Sequence, residues 1–269
     1  GVKGVVNAVS GLGVMFSSER PSLMARGVLA LLRFSHDRNG VRVIFQNHED
    51  EQLFLQNRIV GRDESVFIKG SGVDLNLFAY TPQPPGKVVR ILFTGRMVEE
   101  KGILILIDAA EQLRKEYEGR VEFLLCGGLH NNPKALKAEE LNMLCDGHYI
   151  QWLGFRDDIR ELLVASHIVA FPSFYREGVP KSVIEACAIG RPVVTTNSVG
   201  CKDTVDDGYN GFLVPVKDSD ALAAKLKLLI DNSKLREEMG KNARLKAEKE
   251  FSLKDVVDKH LNVYEELGR

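Results

Sequence analysis

Along nearly the whole chain, short β-branched runs alternate with stretches of helical periodicity, and this rhythm restricts the fold more than any other feature. The expected strands are Val5 to Val9, Val41 to Gln46, Val88 to Phe93, Val121 to Cys126, Tyr149 to Leu153, Ile168 to Phe171 and Pro192 to Thr196. Helical patterns lie between them at Ser22 to Ser35, Gly102 to Tyr117, Lys134 to Cys145, Ile159 to Ser166 and Pro180 to Ile189. Strand, helix, strand in this order implies an α/β fold with parallel sheets covered on both faces. Ligands of such folds bind where loops leave the carboxyl ends of the strands.

One break interrupts the rhythm: "YTPQPPGK", Tyr80 to Lys87, holds three prolines and a glycine in eight residues and reads as a linker. Downstream of it, 88–251 reads as a complete nucleotide-binding-type domain. Upstream, 1–80 holds about three strands, too few for an independent doubly wound sheet, so it either packs on its neighbour or lacks its beginning. The 269 residues suffice for one large or two ordinary domains. A formal net charge of -1 argues against nucleic acid as a partner, and no apolar run approaches the roughly 20 residues of a membrane span. The four cysteines, Cys126, Cys145, Cys187 and Cys201, show no paired spacing, and the histidines are scattered. Free thiols in a reducing cytosol and no zinc site are expected.

Two stretches carry chemistry. After the strand ending at Phe93 comes "TGRMVEEKG", with Arg96 just past the strand and Lys101 just before a helix. A guanidinium fork and an ammonium at a strand's carboxyl end suit a diphosphate. On spacing alone, two solvated loop cations, or Lys101 paired with a glutamate, fit equally well. The second stretch is "FPSFYREGVPKSVIEACAIGRPVV", Phe171 to Val194. Pro180 suits the first position of a helix, which would leave the N–H groups of Lys181, Ser182 and Val183 free for phosphate oxygens. Glu177 stands on the loop before that helix, and Glu185 lies more than one turn into it among Val183, Ile184, Ala186, Cys187 and Ile189. A carboxylate at such a buried edge can accept two hydroxyl hydrogen bonds, as a ribose diol offers. An ordinary pair of salt-bridged glutamates is the other reading.

"GRMVEEKG", "LGFRDDI", the Phe171 to Val194 stretch and "VGCKDTV" occur in the order found in retaining family-4 glycosyltransferases, and the chain resembles the bacterial members that build surface polysaccharides. The resemblance runs from about Lys69 to the C-terminus. It implies the GT-B fold: a complete Rossmann-like C-terminal nucleotide-binding domain at 88–251 and the latter part of a Rossmann-like N-terminal domain at 1–80, joined by a linker at 81–87. A terminal helix at 252–269 would cross back to the N-terminal domain. It further implies that Arg96 and Lys101 bind the donor's diphosphate, that Glu177 contacts the donor sugar, and that Glu185 holds the ribose hydroxyls. Gly178, Val179, Pro180, Lys181 and Ser182 would hold phosphate and sugar, largely through backbone amides, and Phe155 and Arg156 would line the base. "IKGSGVD", Ile68 to Asp74, resembles the family's hinge but has Lys-Gly-Ser-Gly where Pro-Asn-Gly is usual.

The implied reaction transfers a sugar from a nucleotide diphosphate, with UDP favoured, to a carbohydrate or lipid-linked acceptor with retention. The protein would act mainly by stabilising charge on the leaving diphosphate, Arg96 and Lys101 doing what a divalent ion does elsewhere. No cofactor and no metal are expected. "DSD", Asp218 to Asp220, opens the helix Ala221 to Ile230, and N-capping by Asp218 explains it better than metal binding. The family's N-terminal glycine-rich loop and its histidine near the reacting carbon have no counterpart here. "VSGLG", Val9 to Gly13, resembles a later acceptor-side loop, and His48 is placed on a surface loop. About a hundred residues of a typical N-terminal domain would then be absent from this chain. The apolar "GVLALL" of Ser22 to Arg38, flanked by Arg20, Arg26, Arg33 and Arg38, suits either a packing helix or contact with an anionic membrane from the cytoplasmic side. A nucleotide-sugar epimerase and a nucleotide-sugar-binding fragment without activity are the alternatives to a transferase.

Overall fold

The computed structural model describes residues 4–13, 16, 22–36, 40–131 and 135–268. Two parallel sheets organise them, as the alternating pattern requires. The smaller has the order β1-β2-β3, from β1 (Val5–Val9), β2 (Val41–Phe45) and β3 (Ser65–Phe67), with α1 (Leu23–His36) and α2 (His48–Gln56) in the connections. The larger has the order β6-β5-β4-β7-β8-β9. Its strands are β4 (Val89–Thr94), β5 (Val121–Cys126), β6 (Ile150–Gly154), β7 (Ile168–Phe171), β8 (Val193–Thr196) and β9 (Gly211–Val214). The connecting helices are α3 (Ile103–Tyr117), α4 (Ala138–Leu144), α5 (Ile159–Ala165) and α6 (Lys181–Ile189), followed by α7 (Ser219–Asp231), α8 (Ser233–Glu250) and α9 (Leu253–Gly268). This is the doubly wound strand order, with its switch point between β4 and β7.

Burial explains why these segments read as continuous apolar runs. Every residue of β7 and β8 is buried, and one cluster of buried side chains covers both faces of the larger sheet. Four elements were absent from the expected set. Strand β3 is only three residues long, too short for a period-2 signal, and β9, "GFLV", opens on a glycine, a residue depleted in strands. Helix α8 is charged over most of its surface, and α2 begins with "HEDE", which masked its start. His48 is therefore not in a loop: it is the first residue of α2, exposed, and stacked on Phe67 at 3.9 Å between ring centres. Arg20, Arg38 and Lys134 lie outside the described residues, and α4 spans only Ala138–Leu144. Asp218 caps α7, accepting from the Ala221 N–H at 2.8 Å.

The proline-rich stretch is bound closely to the larger sheet. Arg191, fully buried, donates to the carbonyls of Thr81 (2.8 Å) and Pro82 (3.3 Å) and to Leu163 (2.9 Å) and Val164 (3.2 Å). His167 lies under the same segment, accepting from the Arg90 N–H at Nδ1 (3.0 Å) with Nε2 at 3.2 Å from the Pro84 carbonyl. Helix α9 lies on the smaller sheet, its Val256 packed with Ile44 and Ile68. No helix of the described residues is long and apolar enough to cross a membrane.

Candidate functional site

At the switch point the loops after β4, β5, β6 and β7 surround a cleft of about 450 Å³. Arg96, Lys101, Phe155, Arg156, Glu177, Gly178, Val179, Pro180, Lys181, Ser182 and Glu185 all line it. Sequence reasoning missed Ser10, which comes from the smaller sheet, and the glycines Gly95, Gly127 and Gly128. The signal for the last three was present in "TGR" and "CGG", whose glycines directly follow the ends of β4 and β5. In-register pairing of β4 with β5 sets Thr94 beside Cys126, so both strands end at one level. A Cβ on Gly127 would stand 1.7 Å from the Gly95 carbonyl oxygen, so the two strand ends meet backbone to backbone.

Lys101 ends a 3-10 turn, Glu99–Lys101, that Gly102 closes in the left-handed conformation at φ 78°. A side chain there would also drive into the Pro172 carbonyl, at 2.0 Å from Cβ, so Gly102 fixes the turn twice over. Lys101 Nζ donates to Glu177 Oε1 at 2.5 Å, and the same oxygen accepts from Ser173 Oγ at 3.0 Å. Both side chains of the ion pair are 12% exposed, and the ammonium also lies 5.2 Å from the centre of the Phe171 ring. The two groups expected to serve diphosphate and sugar separately are thus partners of one another. A partly buried ammonium beside a carboxylate can hold an anion on one side and orient hydroxyls on the other.

The start of α6 differs from expectation in one residue. Pro180 is the N-cap, at φ -66° and ψ 119°, rather than the first helical residue, and its carbonyl accepts from Val183 N–H at 3.1 Å. Val183 N–H is therefore spent inside the turn, while those of Lys181 and Ser182 belong to the first turn, which has no intrahelical acceptor to offer them. Lower on the helix, Glu185 is 13% exposed, with Lys181 Nζ 4.0 Å away. Burial raises its pKa above the ordinary carboxylate range, and the Lys181 charge offsets part of that rise. Its surroundings disfavour the charged form of the carboxylate.

The outer rim is more exposed. Arg96 stands in solvent with Nη1 3.5 Å from His130 Nε2, a histidine that sequence reasoning passed over. Phe155 is 79% exposed, an apolar plate beside the cleft. Arg156 is held by Asp158, its Nε donating to Oδ1 at 2.7 Å. The cleft thus offers an apolar plate, a buried carboxylate, a helix start and four cationic side chains, Arg96, Lys101, Arg156 and Lys181, in contiguous space.

Comparison with known proteins agrees with that architecture. The chain is 28% identical over 242 residues to N,N'-diacetylbacillosaminyl-diphospho-undecaprenol alpha-1,3-N-acetylgalactosaminyltransferase of Campylobacter jejuni, covering 87% of this chain and 61% of that protein. It is 31% identical over 179 residues to the capsular polysaccharide biosynthesis glycosyltransferase CapM of Staphylococcus aureus, covering 64% of this chain and 44% of that one. It thus spans 61% and 44% of the length of these relatives. The structure of HepE from Anabaena in complex with UDP superposes with a TM-score of 0.80 at 23% identity, over 98% of this chain and 72% of HepE, which supports the GT-B fold. The family model for glycosyl transferases group 1 matches residues 81–246, and the chain belongs to that family.

Proposed function

We propose that these residues form the donor side of a retaining glycosyltransferase that takes a UDP-sugar and serves bacterial cell-surface polysaccharide assembly. The observation that carries this is Glu185: a nearly buried carboxylate, held above its ordinary pKa, that lines the same cleft as Arg96 and Lys101. In this reading Glu185 takes the ribose diol, Arg96, Lys101 and the Lys181 and Ser182 amides take the diphosphate, and Phe155 and Arg156 border the base. Glu177, oriented by Lys101 and Ser173, takes hydroxyls of the sugar. Charge building on the leaving diphosphate is met by fixed cations and amides, with no divalent ion required. The division we adopt sets 1–80 on the acceptor side, 81–87 as linker, 88–251 around the donor and 252–269 as the return helix.

An N-acetylhexosamine and a lipid-linked acceptor are the finer parts of the proposal. The Campylobacter relative is by name an N-acetylgalactosaminyltransferase acting on a diphospho-undecaprenol compound, and HepE was solved with UDP. A lipid-linked acceptor would bring the chain to the inner face of a membrane, and α1 offers the surface for it. The test is calorimetry with UDP, GDP and ADP on this chain, because it spans 61% of the relative and binding is the step that these residues can perform alone. UDP is expected to bind in the micromolar range, and no binding of any of the three at millimolar concentration refutes the reading. Arg96→Ala should weaken UDP more than uridine; equal losses would remove the phosphate role.

A further inference from the structure

The loop between β7 and α6 is held from two sides. On the larger sheet's side, Lys101 and Ser173 hold the Glu177 carboxylate. On the other side, the partners come from the smaller sheet's connections. Arg176, the residue before Glu177, donates to Asp50 Oδ1 through Nε at 2.8 Å and to the Phe16 carbonyl through Nη1 at 3.1 Å, and its Nη2 forms an ion pair with Asp50 Oδ1 at 2.7 Å. Asp50 is completely buried in the first turn of α2. Asn47, the N-cap of that helix, donates to Asp50 Oδ2 at 2.9 Å and to the Glu177 carbonyl at 3.3 Å, while its own Oδ1 accepts from the Asp50 N–H at 2.8 Å. Gly178 closes the contact, since a Cβ there would stand 2.3 Å from the Ser10 carbonyl oxygen.

A fully buried carboxylate is tolerated only when charge and hydrogen bonds compensate it. Asp50 receives both, and the charge comes from 126 residues away in sequence. The contact exists only while the two sheets are apposed, and it holds the Arg176 side chain and the Glu177 carbonyl, with Gly178 close against Ser10. Glu185 and Arg96, by contrast, sit on the larger sheet and its connections. We propose that Asp50, Asn47 and Arg176 are positioning residues for Glu177: the smaller sheet's α2 sets the sugar-contacting end of the donor site, and the larger sheet alone sets the nucleotide end. The consequence is that nucleotide binding and sugar recognition are separable by mutation of residues that touch neither. This rests on the donor-site reading above and deepens it.

The test compares affinities for UDP, UDP-N-acetylgalactosamine and UDP-glucose in the native chain and in Asp50→Asn, Arg176→Gln and the double variant, together with hydrogen–deuterium exchange of the ligand-free proteins. Each single variant should lose about tenfold or more on whichever UDP-sugar the native chain prefers over UDP, and less than about twofold on UDP. The double variant should be no worse than either single one, because the pair acts as a unit. Protection should fall at 173–179 and 47–50 and hold elsewhere. Equal losses on UDP and UDP-sugar, additive single effects, or unchanged exchange at 173–179 each overturn the proposal. If Asp50→Asn loses its fold, Arg176→Gln at the partly exposed end of the pair gives the same readings. If the native chain binds no UDP, the donor-site reading fails by itself, and the exchange pattern still decides whether Asp50 and Arg176 hold the Glu177 loop.

Discussion

Glu185 illustrates how one residue can be costly to the fold and still be retained by it. In water its carboxylate would ionise in the ordinary range; on α6 it is nearly buried and Lys181 is its cation, at 4.0 Å. Burial therefore raises its pKa. Between the ordinary value and the raised one, the folded chain binds more protons than the unfolded chain, so stability falls as pH rises through that window. Above it, the ionised Glu185 is a standing destabilisation. Glu185→Gln removes the charge and keeps the shape, so its melting temperature should equal or exceed the native value at pH 8. Below the ordinary carboxylate range both forms are neutral and the difference should vanish. Binding should move the other way, with UDP affinity falling about 10- to 100-fold as a charged acceptor for two hydroxyls is lost. Scanning calorimetry at pH 3 and pH 8, beside titration with UDP, reads both. A variant that melts lower at pH 8 and binds UDP normally would make Glu185 a structural residue.

At the scale of elements, the linker is the instructive case. Three prolines and a glycine read as a linker, and Arg191 and His167 tie that segment to the larger sheet by side-chain hydrogen bonds to its carbonyls. Nothing local in "YTPQPPGK" announces this, because the donors lie 83 to 110 residues further along. His167 makes the tie pH-sensitive. Burial, with the Arg236 charge second, lowers its pKa to about 4, and its ring accepts from the Arg90 N–H. A lowered folded pKa stabilises above the unfolded value near 6.5, and that stability is lost as pH falls from there through about 4. The full effect is on the order of 3 kcal/mol at one pKa unit per 1.4 kcal/mol. His167→Gln should therefore be less stable at neutral pH and should show a flatter decline between pH 6.5 and 4 in urea melts; parallel curves would exclude the histidine. The same locality explains what the sequence revealed of the site. Arg96, Lys101 and the start of α6 were legible as candidates from their places beside a strand end or a helix start, and Phe155 and Arg156 only through the family resemblance, whereas Ser10 reaches the cleft, and Asp50 the Glu177 loop, only through the tertiary fold.

For the molecule as a whole, α1 is the surface with the least apparent reason to face water. Ala25, Leu29 and His36 turn inward, and Leu23, Met24, Leu31 and Phe34 are 84, 70, 69 and 84% exposed. At helical spacing these four lie within about a third of the circumference, with Ala30 and Gly27 among them, and Arg26 and Arg33 border one edge. An apolar face bordered by cations matches a bilayer with anionic headgroups, the site where a lipid-linked acceptor would be met. Burying a large apolar side chain gains about 1.5–3 kcal/mol, and each arginine near an anionic surface about 1 kcal/mol. The chain should therefore float with vesicles of phosphatidylglycerol and phosphatidylcholine, and much less with phosphatidylcholine alone. Leu31→Ser with Phe34→Ser should lower the bound fraction at least about tenfold on both compositions. Arg26→Gln with Arg33→Gln should remove the preference for anionic vesicles and the sensitivity to salt. UDP affinity should be untouched by all four changes, since α1 belongs to the smaller sheet and contributes nothing to the lining of the cleft. Flotation that is unchanged in the serine variant would mean that the stripe packs against protein rather than lipid.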